Sequence, residues 1–267
     1  MRKEVRIFLL FVPPALLGIL NLGHPVVAPP VFVAVLPHLP WWIKLHVLNL
    51  ILFAMLGLAA YLLVKDKQNF AASLSKIAIA VFVPLYAAFD GLAGIGTGIL
   101  SDYSRQLPSD QVGLASQMID AYWSSSAIYG LAAIASIAWV IAMIAAAVAF
   151  TFPEQRRLAA ITAVVIFVIG GWARTNLFFA ADGVTIRAVW WLVTLGMAAI
   201  MFALCKPRVL AALLVLAGAL FGAAHTPPTG PLGVACFICA AAYVELILRK
   251  KEEVRSTRNY QNEPAAT

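Results

Sequence analysis

The chain has 267 residues, 63% of them hydrophobic and only 12% charged. Soluble domains carry about 25% charged and 45–50% apolar residues, so this composition excludes a soluble globular protein and a disordered one, and leaves a polytopic helical membrane protein. A formal charge of +7 would suit nucleic acid if the basic side chains gathered on one surface, but they are spread along the chain as a topology signal.

Runs of about 20 apolar residues cross a bilayer as helices. Eight are read here, at about 7–24, 42–64, 76–99, 126–151, 157–173, 187–205, 209–224 and 230–248. The expected fold class is an all-α integral membrane bundle of eight transmembrane helices, a single domain over 1–250 with a polar tail over 251–267.

The first span contains Pro13–Pro14, which predicts a kink. Its basic start and the following Val26-Val27-Ala28 imitate a signal peptide and its cleavage site. Pro29 would follow the cut and opposes it, so the first helix is expected to be retained. Residues 25–41 are uncharged and proline-rich, too apolar to wander in water, and are expected at the interface or tucked among the helices. The third span carries Asp90 in the stretch FDGLAGIGTG, where Gly94 and Gly98 form a small-xxx-small pattern that lets helices approach closely. Residues 100–125 are polar, with Asp102, Asp110 and Asp120, and predict a short surface helix. The first and seventh spans end alike, in GHPVVAPP and AHTPPTGP, as helices do before proline. Cys236 and Cys239 lie within the last span and read as packing residues rather than a redox pair. Glu245 is expected to pair with Arg249 or to snorkel towards the membrane surface.

The Lys/Arg distribution sets direction. Arg2, Lys3, Arg6, Lys65, Lys67, Lys76, Arg156, Arg157, Lys206, Arg208, Arg249, Lys250, Lys251, Arg255 and Arg258 fall on one side, 15 of the 19 basic residues. Only Lys44, Arg105, Arg174 and Arg187 fall on the other. Both termini are therefore expected in the cytoplasm of a bacterial cell, with the chain in the inner membrane. Trp41, Trp42, Trp123, Trp172, Trp190 and Trp191 lie near the outer helix ends and read as an interfacial aromatic belt.

All four histidines, His24, His38, His46 and His225, map to the outward side. Asp90 lies about 21 Å along its helix from Lys76, past the midplane on the same side. Ionisable groups at membrane depth are costly and mark functional sites. His38, in the proline-rich loop, reads as a bystander. His24, His46, Asp90 and His225 together supply three imidazoles and a carboxylate, a donor set that suits zinc, copper or iron. A b-type haem with axial pairs His24/His46 or His46/His225 is the second chemistry open to them. His24 and His225 map close to the water interface, which weighs against haem. Asn49 shares a helix face with His46, and Tyr86 shares one with Asp90. With Arg174 and Asn176 they form the expected substrate-contacting set, Arg174 attracting an anionic group. The alternatives are a small-solute or proton-coupled transporter or channel using the same groups, or a structural accessory subunit. The lipid bilayer is the first partner; a homo-oligomer or a larger membrane complex is compatible with the chain, and nucleic acid is not.

Overall fold

In a computed structural model, the structure describes residues 1–162, 164 and 183–248. All regular structure among these residues is helical. In chain order the helices are α1 (Lys3–Leu22), α2 (Val31–Val35), α3 (Leu39–Val64), α4 (Phe70–Asp90), α5 (Thr97–Ser104), α6 (Ser109–Trp123), α7 (Ser126–Phe150), α8 (153–162), α9 (Gly183–Leu204), α10 (Arg208–Ala223) and α11 (Thr229–Ala242). A 3₁₀ turn at Leu36–His38 joins α2 to α3. Two π-helical turns, Gly91–Gly96 and Tyr243–Leu248, follow α4 and α11.

Five helical stretches are long and apolar enough to cross a membrane: Lys3–Leu22, Val31–Val64, Phe70–Ser104, Ser109–Phe150 and Thr229–Leu246. They contain the expected first, second, third, fourth and eighth spans. The expected fifth falls largely outside the described residues. The seventh, α10, has 16 residues, or about 24 Å of helix, against a hydrocarbon core of about 30 Å. Pro207 and Pro227–Pro228 stand beyond its two ends. The sixth lies within α9.

The bundle has the polarity of a membrane protein. Large aliphatic side chains such as Ile19, Ile51 and Ile77 face outward, whereas Asn21, His46, Asn49, Ser75 and Asp90 are buried. Helix α4 packs along α7, α10 lies against α7, α9 and α11, and α1 packs on α3 and α11. Small residues permit these approaches. A Cβ on Gly218 would stand 2.9 Å from Met143 Cβ, and one on Gly222 would stand 2.7 Å from Val140 Cγ2, so α10 meets α7 along a glycine face.

The proline-rich segment after α1 does tuck in. Val31, Phe32, Val35 and Leu39 pack with Trp42 and with Ile119 of α6, forming a small apolar cluster separate from the main core. Asp120 accepts a 2.7 Å hydrogen bond from the Val31 amide, satisfying one of the free donors at the start of α2. The expected helix in the polar stretch is α6, and with α2 it roofs one end of the bundle. Towards the other end, Arg6 donates from Nε and Nη2 to Glu245 Oε1 at 3.0 and 2.8 Å. This bond ties α1 to the π-turn after α11. Arg249, the partner expected for Glu245, lies outside the described residues; Arg6 is distant in sequence but adjacent once α1 packs on α11.

Candidate metal centre

Two helix ends and one continuous helix deliver three imidazoles to one point beneath the roof. Helix α1 ends at Leu22, and the amides of Gly23 and His24 turn back to the carbonyls of Leu20 and Asn21. Trp41 Nε1 donates to the Gly23 carbonyl at 2.8 Å, closing the helix end so that His24 points inward. His46 lies two turns into α3. His225 sits where α10 stops: Ala224 is extended, with φ −165° and ψ 145°, and Thr229 Oγ1 donates back to the carbonyls of Ala224 and Thr226. Any Cβ on Gly230 would collide with the His225 backbone, so glycine lets this turn fold tightly.

The ring nitrogens are arranged with a clear sense. His24 donates its Nδ1 proton to the Pro25 carbonyl at 2.7 Å, and His46 donates its own to the Trp42 carbonyl at 2.7 Å. A carbonyl only accepts, so in the neutral ring each Nε2 is left with a bare lone pair. These lone pairs face one another. His24 Nε2 stands 3.3 Å from His46 Nε2 and 3.2 Å from His225 Nε2. All three ligand atoms lie within 4.8 Å of one another. On its far side, His225 Nδ1 meets the Tyr86 hydroxyl at 3.0 Å.

Asp90 completes the floor. Its Oδ1 is 3.9 Å from both His46 Nε2 and His225 Nε2. Neither carboxylate oxygen accepts a hydrogen bond, although both are fully buried. A buried carboxylate without such partners is costly unless a cation compensates it. Asp90 is also the last residue before the π-turn, a form common at functional sites. Two indole and phenol groups hold that turn: Trp42 Nε1 donates to the Gly94 carbonyl at 2.7 Å, and Tyr122 donates to the Leu92 carbonyl at 2.9 Å.

Burial sets the protonation state. His225 is held well below the ordinary imidazole value, first by desolvation and then by its neighbours His24 and His46. A neutral imidazole is the form that binds metal. His24 and His225 are 6% and 8% exposed, with Pro25, Val26, Val27 and Trp123 lining the cavity around them.

Of the expected metal ligands, His24, His46 and His225 converge and Asp90 lies beside them. His38 is exposed on the 3₁₀ turn, away from the cluster. Tyr86 lines the site. Asn49 does not line the cavity: its amide is buried against Asn21, which donates to Asn49 Oδ1 at 3.1 Å and to the Leu17 carbonyl at 2.9 Å. Arg174 and Asn176 lie outside the described residues. Trp42 is a site residue that sequence reasoning assigned to the aromatic belt. Its ring packs 4.3 Å from that of His46, centroid to centroid, and its spacing of four residues from His46 was the available signal. Cys236 and Cys239 are free thiols away from the cluster.

The group fits a single ion. Four ligands at about 2.0 Å in tetrahedral geometry stand ~3.3 Å apart, and two of the three Nε2 separations match that edge. The arrangement does not suit the expected haem pairs. Axial nitrogens on opposite faces of an iron stand ~4 Å apart with a flat macrocycle between them. The His24–His46 pair is closer than that, and the His24 ring abuts both partners of the His46–His225 pair. Comparison with known protein families, with curated proteins and with solved structures returns no match.

Proposed function

We propose that this chain is an eight-span membrane protein that holds one first-row divalent metal ion, best suited to zinc, on the Nε2 atoms of His24, His46 and His225. Asp90, whose Oδ1 stands 3.9 Å from His46 Nε2, is the fourth ligand or a neighbouring counter-charge. The observation that carries the reading is the meeting of the His24 and His46 Nε2 lone pairs 3.3 Å apart, both Nδ1 protons being committed to carbonyls, with His225 Nε2 3.2 Å from His24 Nε2. Without a cation between them these lone pairs repel.

The membrane topology has separate support. The site lies at the C-terminal ends of α1, α4 and α10 and the N-terminal ends of α3, α7 and α11. Arg6, Lys65, Lys67, Lys76, Arg156, Lys206 and Arg208 lie at or beyond the opposite helix ends. By the positive-inside rule the basic end is cytoplasmic and the histidines face the extracytoplasmic side. Held by neutral imidazoles at the floor of a cavity, the ion keeps Lewis-acid character towards a ligand that enters from that side.

Elemental analysis of gently purified protein tests this. One ion per chain is expected, with no haem absorption band. His46→Ala should lose the ion while His38→Ala keeps it. A metal-free wild type that takes up none of zinc, copper, nickel or iron overturns the reading and leaves the transporter or structural alternatives.

A further inference from the structure

The cavity over the histidines is far larger than an ion requires. Its volume is about 430 Å³, whereas a water molecule's share of the liquid is about 30 Å³. The donors His24, His46, His225 and Asp90 gather at the floor, and Tyr129, Ser136 and Thr226 add hydroxyls elsewhere in the lining. Val26, Val27, Phe89, Ala93 and Trp123 contribute apolar walls. Helix α7 supplies a further wall through Tyr129, Ala132, Ala133 and Ser136, a single face at helical spacing whose three smaller members leave the space open. At the rim, Val26 and Tyr129 are 75% and 56% exposed, so the cavity has a mouth. Among the described residues that line it, none is Lys or Arg, so nothing but the ion favours an anionic head group. Pockets of this kind bury an apolar body and orient it with a few convergent polar groups.

We infer that the cavity binds an aliphatic chain whose Lewis-basic head group docks on the ion. The inference rests on the metal-site reading above and gives the substrate class of that site. The head reaches the Nε2 cluster, and the tail lies along the small face of α7 and leaves between Val26 and Tyr129. A polar metabolite of the same volume would strand its hydrogen-bonding groups against the apolar walls.

Two chelators with one head group and different tails test it. Full-length protein in nanodiscs is loaded with cobalt(II), whose visible absorption reports ligand exchange, and titrated with acetohydroxamate and octanohydroxamate. Burial of each added methylene is worth about fourfold in affinity, so a preference of at least about a hundredfold for the longer chain is expected. Ala132→Phe fills the wall. It should cut that preference at least about tenfold while leaving cobalt content and acetohydroxamate affinity unchanged; Ala133→Leu serves if Ala132→Phe does not load cobalt. Partition of the octyl chain into the bilayer is common to all these proteins, so the change in preference reports the cavity. No chain-length preference, or an equal one in wild type and both variants, overturns this inference with the metal site intact. A wild type that binds no cobalt overturns the metal reading itself.

Discussion

No Cβ fits on Gly94, because the His46 ring occupies the place where it would stand. The π-turn after Asp90 and the first turns of α3 are thus in direct contact, and the position of one ligand depends on the absence of a side chain on another helix. Gly94→Ala should displace the ring. Overpacking of this kind costs about 1–3 kcal/mol, and a misplaced ligand lowers metal affinity about 10–100-fold. Gly91→Ala is the control, since a Cβ there meets nothing within 4 Å. Metal titration of the two variants checks this; equal affinities would remove Gly94 from the account.

Asp90 is buried with two oxygens that accept no hydrogen bond, which opposes folding without the ion and favours binding. Asp90→Asn should leave the metal-free protein as stable as wild type or more so. It should also weaken metal binding about 100-fold. At an ion concentration 1,000 times the wild-type Kd, binding stabilises wild type by about 4 kcal/mol and such a variant by about 1.4 kcal/mol. Thermal melting with and without metal measures both effects. A variant less stable only in the metal-free state would assign Asp90 a structural role instead.

Asn49 and Asn21 clasp α1 to α3 without touching the cavity. Asn49→Ala should lose about 1–3 kcal/mol, because the Asn21 amide is left short of a partner in a buried place. Metal stoichiometry and hydroxamate binding should not change. Loss of ligand binding at full stability would return Asn49 to the substrate-contacting role expected from its spacing.

His225 gives a pH dependence with a definite sign. Its folded pKa lies well below the ordinary 6.5, so between those values the unfolded chain binds the extra proton. The associated stability is complete above about pH 6.5 and is lost progressively as pH falls towards the depressed folded value. The melting temperature of metal-free protein should therefore fall as pH drops below about 6.5. His225→Gln should flatten the acid limb. A wild-type profile with no decline on the acid side contradicts the neutral imidazole on which ligation depends.

The helices that carry the site were legible because lipid imposes a simple code. Apolar runs ended at charged or proline-rich stretches, and basic loops alternated with loops poor in Lys and Arg. That code placed His24, His46, Asp90 and His225 at one end of the bundle, but it has no information on which helices are neighbours. Helix α10 was harder to classify, since prolines bound it at less than a full bilayer width. Nor does counting 1.5 Å per residue foresee how far His24 and His225 are buried within the protein, at 6% and 8% exposed. Asn49 and Trp42 exchanged roles for a related reason. Spacing puts both on the His46 side of α3, and only the packing of α1 and of the π-turn decides that the amide turns to Asn21 and the indole to Gly94.

His24 and His225 are 201 residues apart in the chain, and this separation has a bearing on biogenesis. A ribosome must synthesise nearly the whole protein before the third imidazole exists. Until α10 has been inserted, His24 and His46 present their lone pairs to each other with nothing to complete the triangle. The cluster therefore closes late, after translation of most of the chain, and a truncated product lacking the last two helices would carry only part of it.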